Sequence, residues 1–483
     1  MSNNTFIGRK IRQRNSQVRI PDFRDVVSCL SLVCGPMSSL QVEVSNRQIL
    51  KIALPISLAL LVPNLNFIIN NVFLGHLSEE ALAIASITGV YYLIFSSIGY
   101  GLNNGLQALI ARRAGENRPE EIGKIFHQGI LIAMGIALLG IITTFTLAPV
   151  ILRAVVHHPG TANKAITFLQ LRIWGLPFLY IYQMRNALLV GTNNSRLLVA
   201  GTVIEAVANV LFDWALIFGN LGLPALGFNG AAYASIIAEF LGMFAIFIVI
   251  RLRGLDRQFS LFKKTEWDPQ NIRSILSLSG PLVFQHAISI IAWFFFYILI
   301  ERNSGQTGLA VSNTMRNIFG FFGVFVWAFA ATSNAMVSNI IGQGRHDLVV
   351  TCIKKIQWIS LGLALCVFVF LNAFPSIYLS IYGLKGAFVE AGVPVIRVVS
   401  ASLVLMSVAT IWLNAVTGTG NSRITFLIEL AAIIFYCLYV FIILERWHSS
   451  LVWAWMSEFL YWTVLFSGSY FYIKKGRWRE KKI

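Results

Sequence analysis

Charged residues are scarce in this chain: Asp, Glu, Lys and Arg make up 12% of its 483 residues, against about 25% in soluble domains. Acidic residues are scarcer still, because 21 Asp and Glu stand against 38 Lys and Arg. Hydrophobic residues reach 56%, more than the core of an ordinary soluble domain can bury. A bilayer accommodates such a chain, because lipid is itself an apolar solvent. The composition therefore excludes an ordinary soluble domain and indicates a membrane protein.

Cysteines and catalytic motifs are also lacking. The five cysteines show neither metal-site spacing nor a disulfide framework. The chain contains no GxxxxGK[ST], GxSxG or HExxH motif, so we expect no enzyme, no ATP-driven step and no cofactor. The net charge of +17 would suggest nucleic acid in a soluble protein. Here the basic residues collect in loops and tails, so we expect no nucleic-acid partner.

Apolar stretches long enough to cross a bilayer recur from residue 48 to residue 473, separated by short polar loops. A spanning helix needs roughly 20 mostly apolar residues. We number the predicted spans 1 to 12 and place them at about 48–74, 82–112, 123–149, 165–190, 196–218, 229–251, 272–300, 309–341, 350–378, 388–416, 422–444 and 448–473. The predicted fold class is therefore all-α, a polytopic membrane protein with twelve helices.

Basic residues cluster in every second loop, which predicts the orientation. Arginines and lysines follow spans 2, 6 and 8 and end the chain, whereas the loops 76–80, 220–229 and 303–308 are poor in them. The positive-inside rule then places both termini in the cytoplasm, with the chain in the inner or plasma membrane. We expect a monomer whose surroundings are the lipid bilayer.

An internal duplication is the strongest architectural signal. LVGTNNSR (189–196) resembles VTGTGNSR (416–423), an offset of 419 − 192 = 227, and Gly115 and Gly342 differ by the same 227 residues. Two six-helix repeats of equal topology predict pseudo-symmetric bundles with a cleft between them. The predicted organisation is a basic cytoplasmic tail at 1–45, an N-terminal six-helix bundle at 46–251, a cytoplasmic linker at 252–271, a C-terminal six-helix bundle at 272–474 and a basic cytoplasmic tail at 475–483.

Span 5 carries the clearest candidate site. Glu205, Asn209 and Asp213 are spaced i, i+4 and i+8, so they share one helix face. A central Asp costs about 2.5 to 3.5 kcal/mol to insert, and such residues mark ion or proton paths. The three side chains offer oxygen ligands to a hard cation such as Na⁺, or the two carboxylates share a proton. The alternative is that Asp213, near a helix end, meets only headgroup water.

Span 1 and the other polar helices supply further candidates. Asn66 and Asn70 share a face of span 1 and are expected to point at the span 5 carboxylates, or else to bond neighbouring helices. For a substrate cleft the candidates are Tyr180, Gln183, His286, Gln107 and Asn334. Gln107 and its repeat partner Asn334 suit close helix packing as well as a cavity. His286 is a candidate proton carrier, or a structural histidine.

Other charged residues lie inside spans. We expect Arg172, Arg185 and Arg397 to pair with carboxylates rather than bind substrate. Glu239 and Glu458 occupy matching EFL motifs in the two repeats, which suggests a shared role in tying neighbouring helices.

The ordered set of local motifs resembles the multidrug and toxic compound extrusion (MATE) family over about residues 46–470. The motifs are NNVFLGHL with EEALA, ARRAGENR, GTNNSR, NVLFDWALIFG, PALGFNGAAYAS and IGQGR. The resemblance implies antiport against Na⁺ or H⁺ and a cation site between helices 1 and 5, with Asn209 and Asp213 at matching positions. Where the family commonly has a helix 1 Asp, this chain has Asn70, and Glu205 is a candidate to supply the lost charge. Ser289 lies near a helix 7 position that is acidic in some members.

The resemblance implies a secondary antiporter that exports cationic or amphipathic drugs and toxic compounds in exchange for H⁺ or Na⁺ by alternating access. The alternative within the same superfamily is a flippase for a lipid-linked precursor or oligosaccharide, which the three arginines keep open. A membrane receptor or scaffold is the third reading. It predicts that Glu205 and Asp213 have no part in drug tolerance.

Overall fold

The computed structural model describes residues 39–155, 159–263, 267–380 and 386–480. Residues 1–38 of the predicted N-terminal tail and the last three of the C-terminal tail lie outside this range. The N-terminal bundle contains α1 (Asn46–Leu77), α2 (Glu79–Gly115), α3 (Pro119–Val155), α4 (Pro159–Arg172), α5 (Leu176–Gly191), α6 (Leu198–Phe218) and α7 (Phe228–Leu252), followed by the short α8 (Leu255–Gln258). The C-terminal bundle contains α9 (Pro269–Gly342), α10 (Leu348–Ala373), α11 (Pro375–Ser380), α12 (Ala387–Gly418), α13 (Ser422–Phe441), α14 (Leu451–Trp455) and α15 (Ser457–Lys475).

Ten helices in the described ranges are long and apolar enough to cross a membrane. One of them, α9, has 74 residues and is broken by Gly305, whose φ of 60° and ψ of −155° are not helical. It therefore forms two arms, 269–304 and 306–342, which correspond to predicted spans 7 and 8. The 19-residue α15 completes the set of twelve. The prediction of an all-α membrane protein with two six-helix bundles is confirmed.

Predicted span 4 is not one straight helix. A 3₁₀ turn, Ile173–Gly175, separates α4 from α5. Predicted span 12 is likewise divided into α14 and α15. Side-chain caps mark several helix starts: Ser45 accepts from the backbone N–H of Gln48 at 3.1 Å, and Asp268 caps α9 in the same way. Such caps satisfy donors that the first turn of a helix leaves free.

Many of the basic loops lie at one end of the molecule, here called the basic end. The last turn of α2 meets the last turn of α9, Phe259 of the linker lies against Gly123 at the start of α3, and the C-terminal Trp478 packs on His346. The predicted grouping of these loops on one side agrees with this arrangement.

The two bundles meet along a seam between α2 and α9, and its contacts repeat across the pseudo-two-fold. Gln107 donates to the carbonyl of Ala331 at 2.8 Å, and Asn334 donates to the carbonyl of Asn104 at 3.1 Å. Both donors and both acceptors are related by 227 residues. A Cβ on Gly115 would overlap the carbonyl oxygen of Asn339, and one on Gly342 would overlap that of Arg112. Glycine thus permits the closest approach of the bundles.

These seam contacts lie in the half of α2 nearer the basic end. Tyr100 packs edge-on against His286, and Gly101 contacts Val283 of the first arm of α9. Earlier in α2, Val90 and Leu93 are 42% and 50% exposed. On the second arm of α9, Phe321 and Trp327 are exposed as well. The described contacts between α2 and α9 therefore close the cleft between the bundles at the basic end.

A short segment before α1, residues 39–45, crosses the closed end and is here called the strap. Its backbone joins both bundles. On the N-terminal side, Asn193 donates to the carbonyl of Ser39 at 3.2 Å, and Gln41 donates to that of Gly115 at 2.9 Å. On the C-terminal side, the Asn339 amide accepts from the N–H of Val42 and donates to the carbonyl of Leu40. Gln343 and Lys355 add bonds at 3.0 Å each.

A buried ion pair joins three helices of the N-terminal bundle. Arg172 of α4 binds Glu239 of α7 through both guanidinium nitrogens, at 3.0 and 2.5 Å. Tyr92 of α2 donates to the same carboxylate at 3.3 Å, and its ring lies 4.0 Å from the guanidinium. Gly175 leaves room for the pair, since a Cβ there would overlap both partners. The predicted pairing of Arg172 with a carboxylate is therefore confirmed.

We expect Gly115→Ala and Gly342→Ala to prevent closure of the basic end, because the new methyl group occupies the space of a backbone carbonyl. Distances between spin labels on the loops 116–118 and 343–347, measured in lipid, should lengthen and broaden. Gly135→Ala is the matched control, since nothing lies within 4 Å of that position. Unchanged distances in both seam variants would contradict the role of these glycines.

We expect Glu239→Gln and Arg172→Met each to destabilise the fold by about 3–5 kcal/mol, because each leaves one buried charge without its partner. The double variant should recover much of that loss, since no uncompensated charge remains. Thermal and denaturant unfolding in detergent measures the effect. Equal or additive losses in the double variant would show that the pair is not the source of stability.

Candidate functional site

The candidate site is built on α6, which packs along α7 over its whole length. Small residues of α7 face it: Gly242 opposite Glu205, and Ser235 opposite Asn209. A Cβ on Gly242 would lie 2.8 Å from the Cβ of Glu205 and 3.1 Å from its Oε2. Small side chains let two membrane helices approach closely. Here that approach holds the acidic face of α6 inside the bundle.

Asp213 is fully buried, with 0% of its surface exposed. Neither of its carboxylate oxygens has a hydrogen-bond partner within the described residues. The alternative in which this side chain points at headgroup water is therefore excluded. A buried carboxylate without a donor or a cation in contact is costly in an apolar setting. That cost falls when the group binds a proton or a metal ion.

Glu205 and Asn209 extend the polar face of α6 toward the basic end. The Oε2 atom of Glu205 is buried and has no partner in the described part of the chain. The amide of Asn209 lies 3.5 Å from the Ser235 hydroxyl, a long and weak contact. One helix face therefore carries two carboxylates whose oxygens are only partly satisfied by the protein.

Helix α1 packs against α6 in a register that brings Asn70 level with Asp213. Leu74 of α1 and Ile217 of α6 belong to one apolar cluster, and Phe73 meets Phe218 edge-on. Asn70 precedes Leu74, and Asp213 precedes Ile217, by four residues on parallel helices. The Oδ1 atom of Asn70 is also buried and without a partner in the described structure. Asn66 lies one further turn toward the basic end, level with Asn209.

The spacing along α6 bears on the predicted Na⁺ ligands. Eight residues at about 1.5 Å of rise each separate Glu205 from Asp213 by roughly 12 Å. A metal–oxygen bond is only about 2.3–2.6 Å long, so we expect an ion or a proton at one carboxylate or the other and not shared between them. The described residues also contain no group of three or more His, Cys, Asp or Glu that could hold a metal ion. We treat Asp213 and Glu205 as two separate positions.

The predicted cleft residues lie on or against α2, at more than one level along it. Gln107 and Asn334 lie in the closed seam. Tyr180 is fully buried and donates to the carbonyl of Phe95 at 3.0 Å, so it ties α5 to α2. Gln183 lies half-buried beside Gly99, and His286 packs on Tyr100. Packing accounts for most of these residues.

The other charged residues predicted to lie inside spans also differ from one another in their surroundings. Arg185 donates to the backbone carbonyl of Met243 and lies over the ring of Phe247, and Arg397 is exposed. Neither forms an ion pair within the described ranges. Glu458 is buried without an ion-pair partner there, so the structure does not repeat the Arg172–Glu239 arrangement at its sequence equivalent.

Sequence reasoning missed one buried carboxylate, Glu429 of α13. It is 3% exposed and accepts hydrogen bonds from Gln285, Ser289 and Tyr461. An acidic residue inside a membrane helix was signal enough to single it out.

Comparison with known proteins places this arrangement in a family. A family model described as MatE matches residues 55–215 and 281–442, two stretches that begin 281 − 55 = 226 residues apart. The chain is 23% identical to a probable multidrug resistance protein NorM from Synechocystis sp., over 78% of this chain and 83% of that protein. It is 21% identical to a probable multidrug resistance protein NorM from Thermotoga maritima, over 90% of this chain and 94% of that protein.

A solved structure shares the fold. It is described as the outward-facing conformation of a multidrug resistance MATE family transporter of the MOP superfamily. The TM-score is 0.84 at 16% identity, over 91% of this chain and 98% of that one. The family model covers well over half of the chain, in both bundles. The chain therefore belongs to the MatE family of multidrug and toxic compound extrusion transporters.

Proposed function

We propose that this protein is a secondary antiporter that exports cationic or amphipathic drugs and toxic compounds in exchange for H⁺ or Na⁺. The observation that carries the proposal is Asp213, a fully buried carboxylate on a membrane helix with no partner in the described structure. A coupling ion neutralises such a group when it binds and leaves it charged when it departs. Membership of a multidrug transporter family supports the substrate class.

The contrast with Glu239 supports this role for Asp213. Glu239 is held by Arg172 in a two-pronged ion pair and also accepts from Tyr92, so its charge is neutralised within the protein. Asp213 and Glu205 have no such neutralising partner. Among the acids inside the described spans of this bundle, Glu239 therefore has a permanent counter-charge, whereas Asp213 and Glu205 are available to a mobile cation.

The seam supports alternating access. Contacts related by the pseudo-two-fold close the basic end, and we propose that the bundles part toward the opposite end. Positive-inside orientation puts the basic end in the cytoplasm, which makes this conformation open to the outside. Ion binding at Asp213 then favours closure of the outer end, and the seam glycines separate as the inner end opens. We propose a monomer in the cell membrane, with both termini cytoplasmic.

Two of the three arginines lend little support to a flippase for lipid-linked precursors. That function calls for cationic side chains free to meet an anionic headgroup in the cleft. Arg172 is engaged by Glu239, and Arg185 donates to a backbone carbonyl. A receptor or scaffold, in turn, gives no reason for an unpartnered carboxylate at Asp213.

We expect Asp213→Asn to reduce ion-coupled export to background, because the amide keeps the shape of the side chain but binds neither a proton nor Na⁺ as a carboxylate does. Proteoliposomes with an imposed pH or Na⁺ gradient and ethidium as the transported cation provide the assay. The gradient that drives wild-type flux identifies the coupling ion.

Asp347→Asn is the matched control for this variant, since Asp347 is exposed at the basic end. Wild-type coupling in Asp213→Asn would overturn the assignment of this carboxylate. If neither gradient drives ethidium flux in the wild type, and reconstituted protein instead moves labelled lipid between leaflets, the antiporter proposal fails in favour of the flippase.

We expect Glu205→Gln to lower the coupled flux by about tenfold or more, because it removes the second mobile charge from α6. The substitution retains the packing against Gly242. If Glu205 compensates for the amide at position 70, adding Asn70→Asp should restore flux in the same vesicles. Full coupling in Glu205→Gln alone would contradict a role for this residue.

A further inference from the structure

Glu429 is a buried acid in the C-terminal bundle that the proposed ion path does not use. Its Oε1 accepts from the Ser289 hydroxyl at 3.1 Å and from the Tyr461 hydroxyl, and its Oε2 accepts from the Gln285 amide at 3.4 Å. Three helices, α9, α13 and α15, therefore converge on one carboxylate. All three donors are neutral side chains.

No basic side chain neutralises this carboxylate. Within the described residues, the ion pairs involve other acids, and no Lys, Arg or His lies in contact with Glu429. The nearest titratable groups on the packed helices are Tyr461 and, acting on it, Glu458 of α15 and Tyr436 of α13. His286 follows Gln285 on α9, but its ring packs on Tyr100. Glu429 thus resembles Asp213, and not Glu239, in having no permanent counter-charge.

The Ser289 hydroxyl has two acceptors for a single proton. It lies 2.9 Å from the backbone carbonyl of Gln285, one turn earlier in α9, and 3.1 Å from Glu429. A hydroxyl can donate only once but also accepts. When Glu429 is ionised, Ser289 donates to it. When Glu429 is protonated, the acid donates to Ser289, which turns its own proton to the carbonyl. Both states fit without movement of a heavy atom.

The repeat places Glu429 on the helix that corresponds to α6. Its sequence equivalent is Thr202, because 429 − 202 = 227, and Glu205 lies three residues further along α6. The first arm of α9, which carries Gln285 and Ser289, also carries Ser279 and Val283, which touch α2 at Gly105 and Gly101. A change at Glu429 therefore acts on the same arm that forms the seam.

From this geometry we propose that Glu429 is a second protonation site, located in the C-terminal bundle, that takes up and releases one proton in each transport cycle. The proton enters from the side to which the cleft is open, adds to a carboxylate oxygen, and leaves to the opposite side after the bundles reorient. The proposal rests on the proposed antiport function, and it deepens that function by giving each bundle an acid of its own.

Infrared spectroscopy of the purified protein in lipid tests the site without any transport. The difference spectrum of wild type minus Glu429→Gln should contain a carboxylic-acid C=O band at low pH that disappears as the pH is raised. Ser289→Ala should shift the midpoint of that titration, because it removes the hydroxyl that serves both states. Glu390→Gln, which changes an exposed acid of the same bundle, should leave the band unchanged.

A band that never titrates, or no band at all, would overturn the proposal even if transport is ion-coupled. The complementary measurement is the number of protons moved per ethidium in proteoliposomes, which should fall in Glu429→Gln while the protein unfolds at the wild-type temperature. An unchanged ratio in that folded variant would also overturn it. If the band titrates but the wild type moves no protons, proton antiport itself is contradicted. Glu429 would then be a titratable buried acid that takes no part in transport.

Discussion

A charge inside a bilayer must be neutralised, and this requirement organises the interior of the protein. The Arg172–Glu239 pair meets it with side chains of the chain itself, and it binds α4 to α7. Asp213, Glu205 and Glu429 do not have such a partner in the described structure. Because leaving them ionised and isolated is costly, their stable state depends on a cation from outside the chain. The fold is thereby linked to the cation that we propose it exchanges.

The second constraint is the approach of the two bundles. Hydrogen bonds from Gln107 and Asn334, and the bare backbones at Gly115 and Gly342, occur in pairs related by 227 residues. Such a pseudo-symmetric seam gives both bundles equal shares of one contact surface. It can therefore separate as a unit, without rearrangement inside either bundle, which suits rigid-body rocking.

Much of this architecture could be predicted from the sequence. Span positions follow from apolar stretches, and the repeat predicts which residues correspond across the two bundles. The repeat also pairs the two seam glycines, although it does not indicate that they lie in contact. The hydrogen-bond and ion-pair partners of polar groups could not be predicted, because helices far apart in the chain supply them. Nothing local in the sequence indicates that Glu239 binds Arg172 or that Tyr180 binds the carbonyl of Phe95.

Two features of the candidate site go beyond the clustering of polar residues. The i, i+4, i+8 spacing places Glu205 and Asp213 on one face, and the helix rise, set against the length of a metal–oxygen bond, separates them into two positions. Glu429 lacked the clustered acids that drew attention to span 5. Its importance lies in its contacts with Ser289 and Tyr461, which belong to two other helices.

The strap connects the two bundles at the basic end. Its hydrogen bonds reach Gly115 and Asn193 in one bundle and Asn339, Gln343 and Lys355 in the other. Each such bond contributes about 0.5–1.5 kcal/mol. Separation of the bundles at the basic end therefore breaks the hydrogen bonds of the strap to one bundle or the other. The length and sequence of residues 39–45 therefore bear directly on how far the bundles can separate at that end.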